Sequence, residues 1–255
     1  MGIMEGKRGL VVGVANERSI AWGIAQAIAR EGADVGYTYA LDQLEKRVRP
    51  LAEQTGSTFV HKMDVTDDAQ MDAVFAAAKE HFGTIDFLVH AVAFSDKSEL
   101  KGLYADTSRT NFLNTMDVSV YSFTAMARRA ADLMPNGGAM VTLTFYGAQK
   151  VITNYNVMGV AKAALESSVR YLAVDFGQKN IRVNAISAGP IKTLASAGIS
   201  DFKEMLTQGS TRSPMRRNVT LEEVGQAGLY LVSDMSTAVT GECLYVDCGY
   251  QATGV

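Results

Sequence analysis

"GLVVGVANERSIAWGIAQAIAREG", Gly9 to Gly32, carries the decision about the fold. It opens as an apolar run of strand length, turns at Gly13, and from Ile20 repeats apolar residues at helical spacing. A strand that feeds a helix through a glycine-bearing turn is the first half of a βαβ unit.

The alternation continues outward from there. "DVGYTYA" (34–40), "TFVHKMDV" (58–65), "IDFLVHAVAF" (85–94), "GAMVTLTF" (138–145), "IRVNAIS" (181–187) and "CLYVD" (243–247) read as strands. Helical periodicity fills the gaps, in "LDQLEKRVRPLAEQ" (41–54), "AQMDAVFAAAKEHF" (69–82), a segment around 107–131, and one from about Asn154 to Phe176. Strands that are almost continuously apolar suit a parallel sheet covered on both sides, with right-handed crossovers. The predicted fold is α/β, a doubly wound Rossmann-type parallel sheet of about seven strands with helices on both faces. At 255 residues and 47% hydrophobic, one domain over 1–255 is expected rather than two small ones. The least regular stretch runs from Ser187 to Arg217. It lies after a strand's carboxyl end, so residues 190–212 read either as a substrate lid or as an ordinary surface loop.

A net charge of -3 without any basic run gives no footprint for nucleic acid or anionic lipid, so neither is an expected partner. The start lacks a signal peptide's charged segment and long apolar core, and a cytoplasmic location is expected. Cys243 and Cys248 are the only cysteines, too few for a disulfide framework or a four-ligand metal site; packing is their default role.

At the first turn, Gly13 suits a backbone that must bend tightly and let a pyrophosphate approach amides at a helix N-terminus. Ser19 can cap the helix that begins at Ile20 and also offer its hydroxyl to a phosphate. Gly23, inside that helix, permits close packing against a strand. The second strand ends at Ala40 and Leu41, neither the acid that holds an adenosine ribose nor the arginine that holds a phosphate there, and NADH is favoured over NADPH. Asp64 can accept from an adenine amino group, with Val65 lining the same pocket; the alternative is a helix cap, which Thr66 or Asp67 would supply equally well.

Tyr155 and Lys162, in "NYNVMGVAK" (154–162), stand two helical turns and about 10 Å of rise apart on one face. A lysine near a phenol favours the phenolate and can also hold ribose hydroxyls; the plain alternative is an amphipathic helix with an exposed Lys. The Gly13 turn, Ser19-Ile20, Asp64-Val65, "YNVMGVAKAALE" and "NAISAGPIKTLA" together resemble, in order and spacing, the enoyl-acyl-carrier-protein reductases of the divergent short-chain dehydrogenase/reductase branch. The resemblance runs from "GKRGLVVGV" to "VDCGY". The common members of the wider family resemble Tyr-x3-Lys instead, which would put the tyrosine at Met158. Three residues of helix displace it roughly 4.5 Å, enough to meet an oxygen two carbons beyond the one that receives hydride.

The resemblance implies hydride transfer from NADH to the β-carbon of a trans-2-enoyl thioester on acyl carrier protein, in fatty-acid elongation, without a metal. It assigns Tyr155 to the thioester carbonyl and Lys162 to the nicotinamide ribose. Val92, Ile191, Thr193 and Ala195 fall to the cofactor, and Ser95 with Met158 to the substrate. It also implies a homotetramer. Lys203, Arg212, Arg216 and Arg217 are candidates to meet an acidic carrier protein, or are ordinary solvated charges. One departure stands out: the family places a second tyrosine ten residues before the catalytic one, and here that position is Phe145, with Tyr146 beside it. A working enzyme with a modified pocket is expected; the alternatives are a ketone or 3-ketoacyl thioester reductase, and a dinucleotide-binding sensor with weakened catalysis.

Overall fold

A computed structural model describes residues 2–194, 196 and 202–253. Seven strands form one sheet in the order β3-β2-β1-β4-β5-β6-β7, every neighbouring pair parallel. They are β1 (Arg8–Val12), β2 (Asp34–Tyr39), β3 (Val60–Lys62), β4 (Phe87–His90), β5 (Gly138–Thr144), β6 (Ile181–Ala188) and β7 (Cys243–Val246). The seven-stranded parallel sheet read from the apolar runs is the one observed.

Strand alternation divides the core in two. Leu10, Val12, Leu88 and Met140 face one side, against α3 (Asp68–Phe82), α5 (Ser122–Ala131) and α6 (Asn156–Gly177). Val11, Val89 and Val141 face the other, against α1 (Ile20–Arg30), α2 (Asp42–Gln54) and α8 (Leu221–Val232). Because both faces are covered, the strands needed no polar stripe, which is why their sequences read as unbroken apolar runs.

Sheet order reverses direction on either side of β1, which has β2 on one edge and β4 on the other. In open α/β sheets the crevice beyond the carboxyl ends at such a point takes the ligand. Register brings those ends level: Val12 pairs with His90, His90 with Thr142, and Thr144 with Ser187.

The helix expected around 107–131 is observed as one run from Arg109 to Ala131, α4 (Arg109–Met116) and α5 joined without interruption by a π-helical turn at Asp117–Tyr121. Ser119 on this turn holds the chain beyond β4. Two expectations are corrected. Gly23 serves helix-to-helix rather than helix-to-strand packing: a Cβ there would lie 2.7 Å from the Leu221 carbonyl oxygen, and one on Gly225 would lie 2.4 Å from that of Gly23. Lastly, α6 begins at Asn156, so Tyr155 occupies its N-cap instead of lying inside it. Asn154 and Asn156 flank it with φ of 61° and 32°, conformations that asparagine tolerates better than most residues.

Between β6 and α8, α7 (Phe202–Arg212) occupies the second half of the segment read as a lid or loop. Asn218 Nδ2 donates to the Leu206 carbonyl at 3.0 Å, and Gly209 leaves room for Asn218 and Pro190. Among the described residues no helix is long and apolar enough to cross a membrane.

Candidate functional site

The turn after β1 is fixed by backbone contact. Gly13 has φ of 103°, and a Cβ there would sit 2.3 Å from the Ala91 carbonyl oxygen, so only glycine fits beside the end of β4. Ser19 is the N-cap of α1 by position, but its hydroxyl turns back to accept from the Ala15 and Asn16 amides at 3.0 and 3.1 Å. It therefore shapes the turn and supplies no side-chain cap, contrary to the expected capping role. The Trp22 and Gly23 amides go to the Ser19 carbonyl, which leaves those of Ile20 and Ala21 to another acceptor, an arrangement that suits an anion at a helix N-terminus.

Ala40 is exposed at the end of β2, and Asp42 beyond it pairs with Lys62 at 2.9 Å. Asp64 is exposed, with Oδ1 accepting from both the Thr66 amide and hydroxyl. The cap of α3 is Asp67, which accepts from the Ala69 and Gln70 amides, so Asp64 is not spent on capping. Val65 is buried in the core beneath.

Beyond β4, Val92 is half-buried and Ser95 is buried. Ser95 Oγ lies 3.3 Å from Asn111 Oδ1 and accepts from the Thr115 hydroxyl at 2.9 Å, which locks it against α4. Ser119 Oγ accepts the Phe94 amide at 3.1 Å and lies 3.9 Å from Met158 Sδ. The π turn thus ties the loop after β4 to the first turn of α6.

Tyr155 is 6% exposed. Its ring meets Phe145 edge-on, with centroids 5.1 Å apart at 67°, and Gly147 lies so close that a Cβ there would be 2.5 Å from Tyr155 Cδ1. Burial raises the phenol's pKa above its ordinary range. The expected bias toward phenolate is not realised: desolvation dominates, and Tyr155 is a neutral hydroxyl ready to donate.

Lys162 is 5% exposed and donates to the Leu143 carbonyl at 2.8 Å. Burial lowers its pKa to about 8, with Glu166 opposing that shift. An ammonium has three donors, so two remain for a ligand. The plain alternative of an exposed, solvated lysine is excluded by this burial.

Phe145 occupies the Tyr155 side of the strand end. Tyr146 points away, its ring 5.9 Å from Tyr250 and 6.5 Å from Tyr245, so it does not turn inward to replace the missing hydroxyl. After β6, Ile191 is half-buried against the core, and Thr193 forms a closed turn with Ser196, whose Oγ accepts the Thr193 amide at 2.8 Å. Ala195 lies outside the described residues.

Several residues around the site escaped the sequence reading. Glu166 accepts from the Thr144 hydroxyl at 2.8 Å. His90 is fully buried between Thr142 and Ser122, at 2.8 and 2.9 Å. Ser122 gives its proton to the Val118 carbonyl, which makes His90 Nε2 the donor to Ser122 and Nδ1 the acceptor from Thr142. The only sequence signals were a Glu four residues past Lys162 and a His inside an apolar strand.

Comparison with known proteins agrees with this geometry over the whole chain. A family model described as enoyl-(acyl carrier protein) reductase matches residues 13–251. Enoyl-acyl-carrier-protein reductase (NADH) 1 of Rhizobium meliloti is 60% identical over 254 residues, covering 100% of this chain and 93% of the relative. The corresponding NADH enzyme of Rickettsia felis is 54% identical, covering 99% and 97%. Among solved structures, the reductase of Anaplasma phagocytophilum in complex with NAD superposes with a TM-score of 0.96 at 56% identity, covering 100% and 97%. That of Bacillus cereus with NADP+ and indole naphthyridinone gives 0.98 at 48%, covering 100% of both chains.

Proposed function

The chain belongs to the enoyl-acyl-carrier-protein reductase family, is by that full-length likeness an NADH-dependent oxidoreductase of enoyl thioesters on acyl carrier protein, and on this premise we propose how its residues divide the work. Bound NADH supplies the hydride. Gly13 keeps side-chain bulk out of the crevice between β1 and β4, and the first turn of α1, from Ile20, offers amides to the pyrophosphate. Ser19 sets that turn. Asp64 accepts from the adenine amino group, with Val65 beneath it and Ala40 beside the adenosine ribose. Val92, Ile191 and Thr193 line the nicotinamide end.

Lys162 holds the nicotinamide ribose with the two donors that Leu143 leaves free. Tyr155 donates its hydroxyl to the thioester carbonyl oxygen and stabilises the negative charge that develops there. Met158 and Ser95 bound the acyl group. The observation that carries the reading is Tyr155 itself: a buried, protonated phenol, wedged by Phe145 and Gly147 at the mouth of α6. Tyr155→Phe is expected to lower kcat about 10²-fold while NADH affinity changes less than about twofold. Lys162→Ala is expected to weaken NADH binding by about 10³-fold, since two hydrogen bonds from a charged donor, about 1.5–3 kcal/mol each, are lost. Equal effects of both substitutions on NADH affinity would contradict the division.

Residues 1–255 act in this reading as one Rossmann-type domain in which the 190–212 segment, with α7, covers the substrate. Lys203, Arg212 and Arg216 are exposed and suit an acidic carrier protein; Arg217 suits it less, being paired to Glu223 at 2.6 Å. Exposed Leu113, Tyr121, Tyr171 and Val174 along α4, the π turn and α6 support a homotetramer, and the cytoplasm is its proposed location.

A further inference from the structure

Lys162 is the only buried lysine among the described residues, and one helical turn away on the same face stands Glu166, one of only two buried carboxylates. Both are anchored to the end of β5 at consecutive residues: Lys162 to the Leu143 carbonyl at 2.8 Å, Glu166 to the Thr144 hydroxyl at 2.8 Å. A buried ammonium lying only on a neutral carbonyl sheds its proton easily, whereas a fixed carboxylate one turn away opposes the loss. We propose that Glu166 is a positioning residue that keeps Lys162 in its ammonium form, and so sets the upper pH at which the site can hold the cofactor's ribose. The inference rests on the reading of Lys162 as a ribose ligand.

The surroundings leave Glu166 as the group able to do this. His90 on β4 is held neutral by burial, its pKa lowered to about 3, with the Lys162 charge adding to that shift. Cys243 and Tyr245 on β7 are both pushed up to about 12, burial first, and remain neutral in the working range; the Cys243 thiol hydrogen-bonds Glu166. Glu242 and Arg170 bear on Cys243 rather than on Lys162. Tyr155 is neutral through burial. The deprotonation of Lys162, already brought down to about 8, thus has one carboxylate resisting it.

NADH fluorescence titrations from about pH 6 to 9.5 on wild type, Glu166→Gln, Glu166→Asp and Lys162→Arg test this. Wild type is expected to weaken above about pH 8. In Glu166→Gln the midpoint should fall by about one pH unit, so that binding is about ninefold weaker than wild type at pH 9 and within about twofold at pH 6. Glu166→Asp, which keeps the charge but withdraws it by one methylene, should fall between the two. Lys162→Arg should lose the alkaline limb, since a guanidinium stays charged. If Glu166→Gln does not fold, an unchanged midpoint in Glu166→Asp overturns the inference. So does a Glu166→Gln affinity loss that is uniform across pH, the mark of a purely structural role, or a wild type that binds NADH with no alkaline limb. A folded wild type that binds no NADH at any pH contradicts the underlying reading instead.

Discussion

Replacing Gly147 by alanine isolates the seating of the catalytic ring. Gly147 lies in the single turn after β5, its φ is not positive, and alanine is compatible with that backbone. What alanine cannot avoid is Tyr155: the new methyl would lie 2.5 Å from Cδ1 and 2.8 Å from Cε1. Carbon atoms rest about 3.5 Å apart, so the ring or the turn must move by about 1 Å. Phe145 meets Tyr155 at 5.1 Å and closes one direction of escape. Overpacking of this size costs about 1–3 kcal/mol of stability. A catalytic group misplaced by about 1 Å costs on the order of 10² in rate. Lys162 is anchored separately at Leu143, so NADH affinity should change by less than about twofold. Steady-state NADH oxidation with a crotonyl or longer enoyl thioester gives kcat, fluorescence titration gives NADH affinity, and a thermal melt gives stability. A variant with wild-type kcat and an unchanged melting temperature would show that the ring is not held by this turn.

Two further outcomes follow from groups beside the site. His90 has a folded pKa of about 3 against an unfolded value of 6.5, so the unfolded chain binds more protons between those pH values and stability falls as pH drops through that window. The loss attributable to His90 should reach about 3 kcal/mol by pH 4.5; His90→Gln should flatten the denaturation profile between pH 7 and 4.5, and parallel slopes for the two proteins would count against the buried neutral imidazole. Phe145→Tyr adds a hydroxyl on the Tyr155 side of the pocket, and kcat should rise by no more than about tenfold, because the ring contact is already made. A rise of about 10² at constant NADH affinity would instead make the missing hydroxyl part of the catalytic machinery.

The sheet was legible because each strand is buried on both faces and the chain therefore writes it as an apolar run between turn residues. Helix interiors were equally plain. What escaped was set by contacts between distant parts of the chain. Nothing in "TMDVSVYS" announces the π turn or the bond from Ser119 to Phe94, 25 residues away. Ser19 has the composition of a cap, but which amides its hydroxyl takes depended on how the turn at Gly13 folds back against Ala91. Tyr146 and Phe145 could be assigned to opposite faces by strand alternation, and the structure keeps them so. That Tyr155 stands at the N-cap of α6 rather than inside it was not readable. Nor was the burial of Tyr155 and Lys162, and burial is what turns a phenol and an amine into a protonated donor and a marginal cation.

The glycine seam between α1 and α8 bears on the order in which the molecule can be made. Gly23 and Gly225 bring two backbones into contact, and Ile24 fills the space over Gly228. The two partners of this seam stand far apart in the sequence, at Ile20–Arg30 and Leu221–Val232. Until residues 221–232 arrive, the apolar face of α1 has no cover, although the strand and turn that hold the cofactor precede it in the chain. Long-range closure of this kind slows folding and exposes apolar surface to wrong partners meanwhile. The wall of the nucleotide crevice that α1 forms is therefore expected to settle only once residues 221–232 have docked, which makes NADH binding a late event in folding although the strand and turn beside it lie close together in sequence.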